Sequence, residues 1–175
     1  AVAGTGAVGL SGIMGAKVAG ATTIIAIDIL DERLEVAASL GATHTINSKD
    51  ADPIEKIMEI TGGGVDFVLD TTGVAPVIAS LIQAAAFGAK IALVGVPRPG
   101  SSIDLGLVSA TGKTIIGAIE GDAIPQTFIP QMLSLYEAGL FPFDKLITTY
   151  PFDQIEQAIA DTASGKAVKA VLVMP

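Results

Sequence analysis

Near the start of the chain lies Gly4-Thr5-Gly6-Ala7-Val8-Gly9, and nineteen residues beyond Gly9 stands Asp28. These residue types at this spacing can do chemistry. A short aliphatic run precedes the glycines and an apolar stretch follows, so the motif falls where a strand turns into a helix. Gly4 permits a tight turn, Gly6 removes a Cβ from the path of an incoming diphosphate, and Gly9 lets helix and strand pack closely. From Ala7 and Val8 onward the first helical turn offers unpaired N–H groups and about half a positive charge. Asp28 directly follows the aliphatic residues 23–27. There it can accept hydrogen bonds from the hydroxyls of an adenosine ribose and repel a 2′-phosphate, which favours NAD over NADP. Two plainer uses compete. The glycines could form an ordinary strand–turn–helix connection, and Asp28 could cap the next helix, a task open to Asp31 as well.

Such a motif needs a scaffold, and the chain is patterned to build one. Aliphatic runs at residues 1–3, 23–27, 44–46, 67–69, 91–94 and 114–119 alternate with helical candidates at 7–19, 32–40, 53–60 and 75–86. Continuous rather than alternating apolar runs predict strands covered on both faces, as in a parallel sheet. The alternation predicts an α/β, three-layer, doubly wound fold. Asp52-Pro53 reads as a cap followed by proline at the first helical position, Gly41 as a left-handed helix end, and Gly62-Gly63-Gly64 as a helix breaker. The tail reads differently: helix at 128–138, helix at 154–160 and strand at 168–173, an appendage packed on the sheet. The expected division is a nucleotide-binding unit at 1–121 and an appendage at 122–175.

Composition narrows the function classes. The 175 residues carry ten basic and eighteen acidic side chains, a net charge of −8. So acidic a surface is a poor partner for nucleic acid. Mean hydropathy is +0.63, which excludes disorder. The longest uncharged run, residues 71–89, is interrupted by Gly73, Pro76, Ser80, Gln83 and Gly88, so a buried helix and strand are expected rather than a membrane span. No basic segment precedes the apolar start, and no signal peptide is expected. The opening residues fall inside a strand-like run, as if a domain had been cut from a longer chain. There is no cysteine and a single histidine, His44, so disulfides and thiolate metal sites are excluded and a reducing, cytoplasmic setting is expected. His44 is expected to be a surface or hydrogen-bonded structural residue.

Several segments together resemble one family. Residues 3–11, Ala26-Ile27-Asp28 followed by Arg33, Leu40-Gly41-Ala42-Thr43, Val65-Asp66-Phe67 leading to Gly73, and Val94-Gly95-Val96-Pro97 are similar to the zinc-dependent medium-chain alcohol dehydrogenases. The tail, with Gly121-Asp122, Phe128-Ile129-Pro130 and the run from Phe141 to Ile147, resembles their aryl-alcohol (benzyl alcohol) branch. The resemblance implies a Rossmann domain with strand order 3-2-1-4-5-6. It places Arg33 over the adenosine ribose, Val8 against the nicotinamide, and Thr71, Thr72 and Gly73 in a turn beside the cofactor. Val94, with Val96 close by, Ala118 and Glu120 match positions whose backbone holds the carboxamide, and Lys169 matches a basic residue near the pyrophosphate. Ordinary solvated charges (Arg33, Lys169) and core packing (the apolar positions) are the plainer alternatives.

One part of the family's machinery is missing from these residues. Its catalytic zinc is held by Cys and His ligands in an amino-terminal domain, and such a site needs about three protein ligands. The resemblance therefore implies the NAD(H)-binding domain of an enzyme oxidising a small primary, aryl alcohol to the aldehyde, with zinc only in another domain. These residues would bind NAD(H) without turnover, as a homodimer joined through the edge strand at 113–120. Other readings remain: the cofactor domain of a zinc-free quinone or enoyl reductase, a nucleotide-sensing regulatory module without chemistry, and a methyltransferase. Asp28 counts against the first, the tail against the second, and the run into Gly117-Ala118-Ile119 against the third.

Overall fold

Residues 24–27 are buried to a man, and the pleat of the strand divides them between two cores. Ile25 and Ile27 join Ala3, Ile57, Val68, Leu81 and Ile91 on one face. Ile24 and Ala26 join Val2, Leu10, Ile13, Met14 and Leu34 on the other. A strand covered twice has no polar side to alternate with, hence the unbroken aliphatic run. The structure, a computed structural model, describes residues 1–175.

The main sheet contains β1 (Val2–Ala3), β2 (Ile25–Asp28), β3 (His44–Asn47), β4 (Val65–Asp70), β5 (Ala85–Leu93) and β6 (Thr114–Gly117). All pairs are parallel, in the order β3-β2-β1-β4-β5-β6. Helices α1 (Ala7–Val18) and α2 (Asp31–Leu40) cover one face; α3 (Pro53–Thr61) and α4 (Ala75–Ala84) cover the other. The fold is the three-layer, doubly wound arrangement expected from the alternating pattern, with the Rossmann strand order that the family resemblance implies.

Local signals account for the helix ends. The Asp52 carboxylate accepts a hydrogen bond from the Ile54 amide at 2.9 Å, with Pro53 in the first turn where its missing N–H costs nothing. Gly62 ends α3 in the left-handed region. At Gly12 an added Cβ would run into the Leu69 side chain, so α1 lies close against β4.

The elements differ from the sequence pattern in three places. A short helix, α5 (Leu105–Ala110), precedes β6 where none was expected; Asp104 caps it through the Leu107 amide at 3.0 Å. α4 stops at Ala84 and β5 begins at once, and the register of β5 on β4 shifts between Val65 and Phe67. In the tail, α6 (Pro125–Glu137) starts before residue 128 and keeps Pro130 inside it. The tail also holds an extra strand. β7 (Ile147–Pro151) pairs in parallel with β8 (Lys169–Val173) around α7 (Ile155–Ser164), so the expected helix–helix–strand becomes helix–strand–helix–strand. Threonines, a tyrosine and a proline make β7 too polar to read as a buried run.

The tail packs through Leu146, Phe141, Phe143 and Val168 on the core shared by α1 and α2, rather than on bare sheet. Within it, Tyr150 donates to Asp161 at 2.8 Å, and Gln157 and Lys166 also reach that carboxylate, tying α7 to β7. No helix is long and apolar enough to cross a membrane.

Candidate nucleotide-binding site

The carboxyl ends of β1 and β4, adjacent central strands whose chains leave toward opposite faces, form the crevice where open α/β sheets bind ligands. Gly4 follows β1 with a φ of 81°, a conformation that favours glycine. Its carbonyl lies so close beneath Gly9 that an added Cβ there would collide with it. The same carbonyl accepts a hydrogen bond from Thr71 Oγ1 at 2.9 Å, and Thr71 Oγ1 also reaches the Ala3 carbonyl at 2.9 Å. The glycine turn and the turn after β4 are thus one packed unit.

Gly6 caps α1, and a Cβ built there would meet nothing within 4 Å. No side chain caps this helix, and its first turn holds no acidic residue. Ala7 and Val8 open the helix, with Val8 half exposed above the crevice edge. The helix start therefore keeps its amides and its positive end for an outside anion.

Asp28 ends β2 and is only 8% exposed. Oδ2 accepts hydrogen bonds from the Thr5 amide at 2.6 Å and the Thr5 hydroxyl at 2.7 Å. Oδ1 accepts from the amides of Ile29 at 2.7 Å and Leu30 at 3.2 Å. Burial pushes the carboxyl pKa up, but the bonds from Thr5, Ile29 and Leu30 together hold it below its ordinary value. Asp28 stays ionised at the mouth of the glycine turn. The first residue before α2 is Leu30, with no side-chain cap, and Asp31 instead accepts from Asn47 Nδ2 at 2.7 Å. Neither aspartate caps α2.

Arg33, in the first turn of α2, carries a buried Nε without a hydrogen-bond partner. Gly165, after α7, packs against it: an added Cβ would lie 3.5 Å from that Nε and 3.0 Å from Leu30 Cδ1. A buried guanidinium nitrogen with a free donor is a group with binding capacity to spare.

Asp70 ends β4 fully buried. It accepts from Thr72 Oγ1 at 2.6 Å, the Thr72 amide at 3.3 Å and the Gly73 amide at 3.0 Å. Gly73 sits under Val96, whose carbonyl would be 2.6 Å from an added Cβ. Val94 and Gly95 both donate amides to the Asp70 carbonyl, at 2.9 and 3.0 Å. Val96 is almost wholly exposed. Beyond β6 the Ala118 amide donates to the Leu93 carbonyl at 3.0 Å, and Glu120 adopts a φ of 50°. Fifteen sequence candidates are thereby distributed unevenly. The glycine turn, Thr71, Thr72, Gly73, Val94 and Val96 interlock through packing and hydrogen bonds. Asp28 joins them through Thr5. Ala118 and Glu120 follow the carboxyl end of β6, farther along the same edge. Lys169 starts β8, exposed and without a hydrogen bond to the glycine turn.

Thr5, Asp70, Gly95 and Gly165 were not singled out by sequence. Asp70 had a signal: an acid ending an aliphatic run with Thr two and Gly three positions later fits a side-chain-closed turn. Gly95 lies against the Thr71–Gly73 backbone, a contact between strands with no local mark. His44 is exposed and bonded to Thr43 Oγ1 at 2.9 Å. No group of three or more His, Cys, Asp or Glu side chains is gathered as a metal site.

Sheet, glycine turn and buried acid define a Rossmann nucleotide-binding domain. The family model described as "Zinc-binding dehydrogenase" matches residues 7–138. Geraniol dehydrogenase of Castellaniella defragrans is 43% identical over 176 residues, covering 99% of this chain and 47% of its own length. The crystal structure of an alcohol dehydrogenase zinc-binding domain protein from Burkholderia ambifaria matches at 48% identity and a TM-score of 0.95, over 100% of this chain and 48% of that one. Benzyl alcohol dehydrogenase from Acinetobacter calcoaceticus matches at 45% identity and a TM-score of 0.96, over 99% and 49%. The chain belongs to the zinc-binding dehydrogenases, the medium-chain zinc-type alcohol dehydrogenase family. It spans about half the length of the relatives it matches.

The two motif glycines should separate experimentally. Gly9→Ala should cost about 1–3 kcal/mol in urea unfolding, because the Gly4 carbonyl has no room to yield. Gly6→Ala should stay within about 1 kcal/mol of the parent, since its Cβ meets open space.

Proposed function

We propose that this chain is the NAD(H)-holding part of a zinc-type alcohol dehydrogenase that oxidises a primary aryl alcohol to its aldehyde. One observation carries the cofactor reading: an ionised carboxylate at the end of β2 is bonded directly to the glycine turn at the start of α1. The open side of Gly6, the uncapped helix start and the free Arg33 Nε fit a dinucleotide. When bound, NAD supplies the acceptor for the alcohol's hydride.

This chain's residues bind and orient. The α1 amides receive the diphosphate, while Asp28 accepts from the adenosine diol and Arg33 lies beside it. Val8, the Thr71–Gly73 turn and the backbone at Val94, Val96, Ala118 and Glu120 align the nicotinamide end. Lys169 lends long-range positive charge from β8. No three His, Cys, Asp or Glu side chains gather in a way that fits zinc. The aryl preference rests on the likeness to benzyl alcohol dehydrogenase and the tail motifs. Residues 122–175 act as an appendage that braces the α1–α2 side, and residues 1–121 as the cofactor unit.

NADH fluorescence titration tests the reading. NADPH should bind about 10- to 100-fold more weakly than NADH, the worth of a charged hydrogen bond lost to the 2′-phosphate. Asp28→Asn should narrow that gap. Equal affinities for the two cofactors would overturn the assignment. With zinc and benzyl alcohol added, these residues alone should form no NADH.

We further propose a cytoplasmic homodimer joined through β6, which pairs only with β5 and leaves Ile116 about half exposed. An aliphatic edge of this kind invites a second strand. Light scattering should report twice the 17.6 kDa chain mass; a monomer at high micromolar concentration would refute it.

A further inference from the structure

Thr5 has no role in the reading above beyond holding a place between two glycines, yet it is wholly buried and makes both of the bonds to Asp28 Oδ2. A carboxylate offers about four lone-pair positions. All four on Asp28 are taken from within the chain, by the Thr5 amide, the Thr5 hydroxyl and the amides of Ile29 and Leu30. A ribose diol therefore cannot simply add to Asp28, which is itself almost closed to solvent. One of the four donors must leave.

Three of them are backbone amides in fixed turns. The Thr5 amide follows Gly4, whose own amide is bonded to the Ile27 carbonyl at 2.9 Å. It precedes Gly6, whose carbonyl starts the α1 ladder by accepting from Leu10. Leu30 begins the α2 ladder, its carbonyl accepting from Arg33 and Leu34. Moving the Thr5 or Leu30 amide would disturb a helix start, and the Ile29 amide is fixed between Asp28 and Leu30 in the same short turn. The fourth donor is the Thr5 hydroxyl, which leaves Oδ2 by rotation about the Cα–Cβ bond without moving the backbone.

Resting on the NAD(H) reading, we propose that the Thr5 hydroxyl is a replaceable stand-in for the cofactor's ribose hydroxyl. It holds Asp28 Oδ2 in the free protein and gives up that position when the diol binds. Thr5 then sets cofactor affinity: every binding event must break the Thr5–Asp28 bond. The amide bond to the same oxygen persists and keeps the carboxylate aimed at the site while the exchange takes place.

Two substitutions separate this from a purely structural role. Thr5→Val keeps the shape and removes the hydroxyl; Thr5→Ser keeps the hydroxyl. Thr5→Val should bind NADH about 3- to 30-fold more tightly, a share of the bond no longer broken, although its own stability falls. Thr5→Ser should bind as the parent does. Unchanged or weaker NADH binding by a folded Thr5→Val chain would overturn the proposal, because a residue that merely supports Asp28 can only weaken binding when cut back. Asp28→Asn titrated alongside isolates the premise: if it binds NADH and NADPH as the parent does, the cofactor reading fails first.

A crystal structure of the unsubstituted chain with NADH gives the result directly, even if Thr5→Val does not fold. A ribose oxygen should stand about 2.7 Å from Asp28 Oδ2, with Thr5 Oγ1 beyond hydrogen-bond distance. Thr5 Oγ1 still bonded to Oδ2 beneath a bound ribose would refute the exchange.

Discussion

Three elements of this chain meet at one carbonyl oxygen, that of Gly4. From above, Gly9 presses on it without a Cβ, and from the side Thr71 donates to it. Any side chain at Gly9 would lift α1 away from β1 and pull the helix start off the crevice. The close approach is what sets the α1 amides at the mouth of the sheet. It also couples the turn after β1 to the turn after β4, so the two sides of the crevice cannot shift independently. The rest of the site is built outward from this contact.

Two buried aspartates extend it along the carboxyl edge. Asp28 and Asp70 each end a strand and spend their oxygens on the first amides and hydroxyl of a neighbouring turn. Both carboxyl groups lie in low-exposure surroundings, and their hydrogen bonds offset the cost of burying them. They differ in what surrounds them. Asp70 serves its own turn and holds Gly73 beneath Val96, a structural task. Asp28 reaches across to a different element, accepting from both the amide and the hydroxyl of Thr5 in the glycine turn.

The tail contributes chiefly by packing. Leu146 and two phenylalanines close the α1–α2 core, and Gly165 sets its backbone against Arg33 and Leu30. Arg33 is thereby held with a free Nε near the end of β2, although the residue that holds it lies at the far end of the chain.

The pattern of residues alone determined the layer architecture, the glycine turn and the acid at the end of β2, because these follow from local rules. Doubly covered strands must be aliphatic at consecutive positions, a turn under a helix needs glycine, and an acid ending a strand marks itself by its charge. Strand order came only with the likeness to a family. The interlock of Gly4, Gly9 and Thr71, the closure of Asp28 by Thr5, the Gly165 support of Arg33 and the pairing of β7 with β8 were decided by the folded chain. Each joins residues from separate elements, and nothing in the spacing along the backbone encodes which atoms will meet once those elements have been brought together.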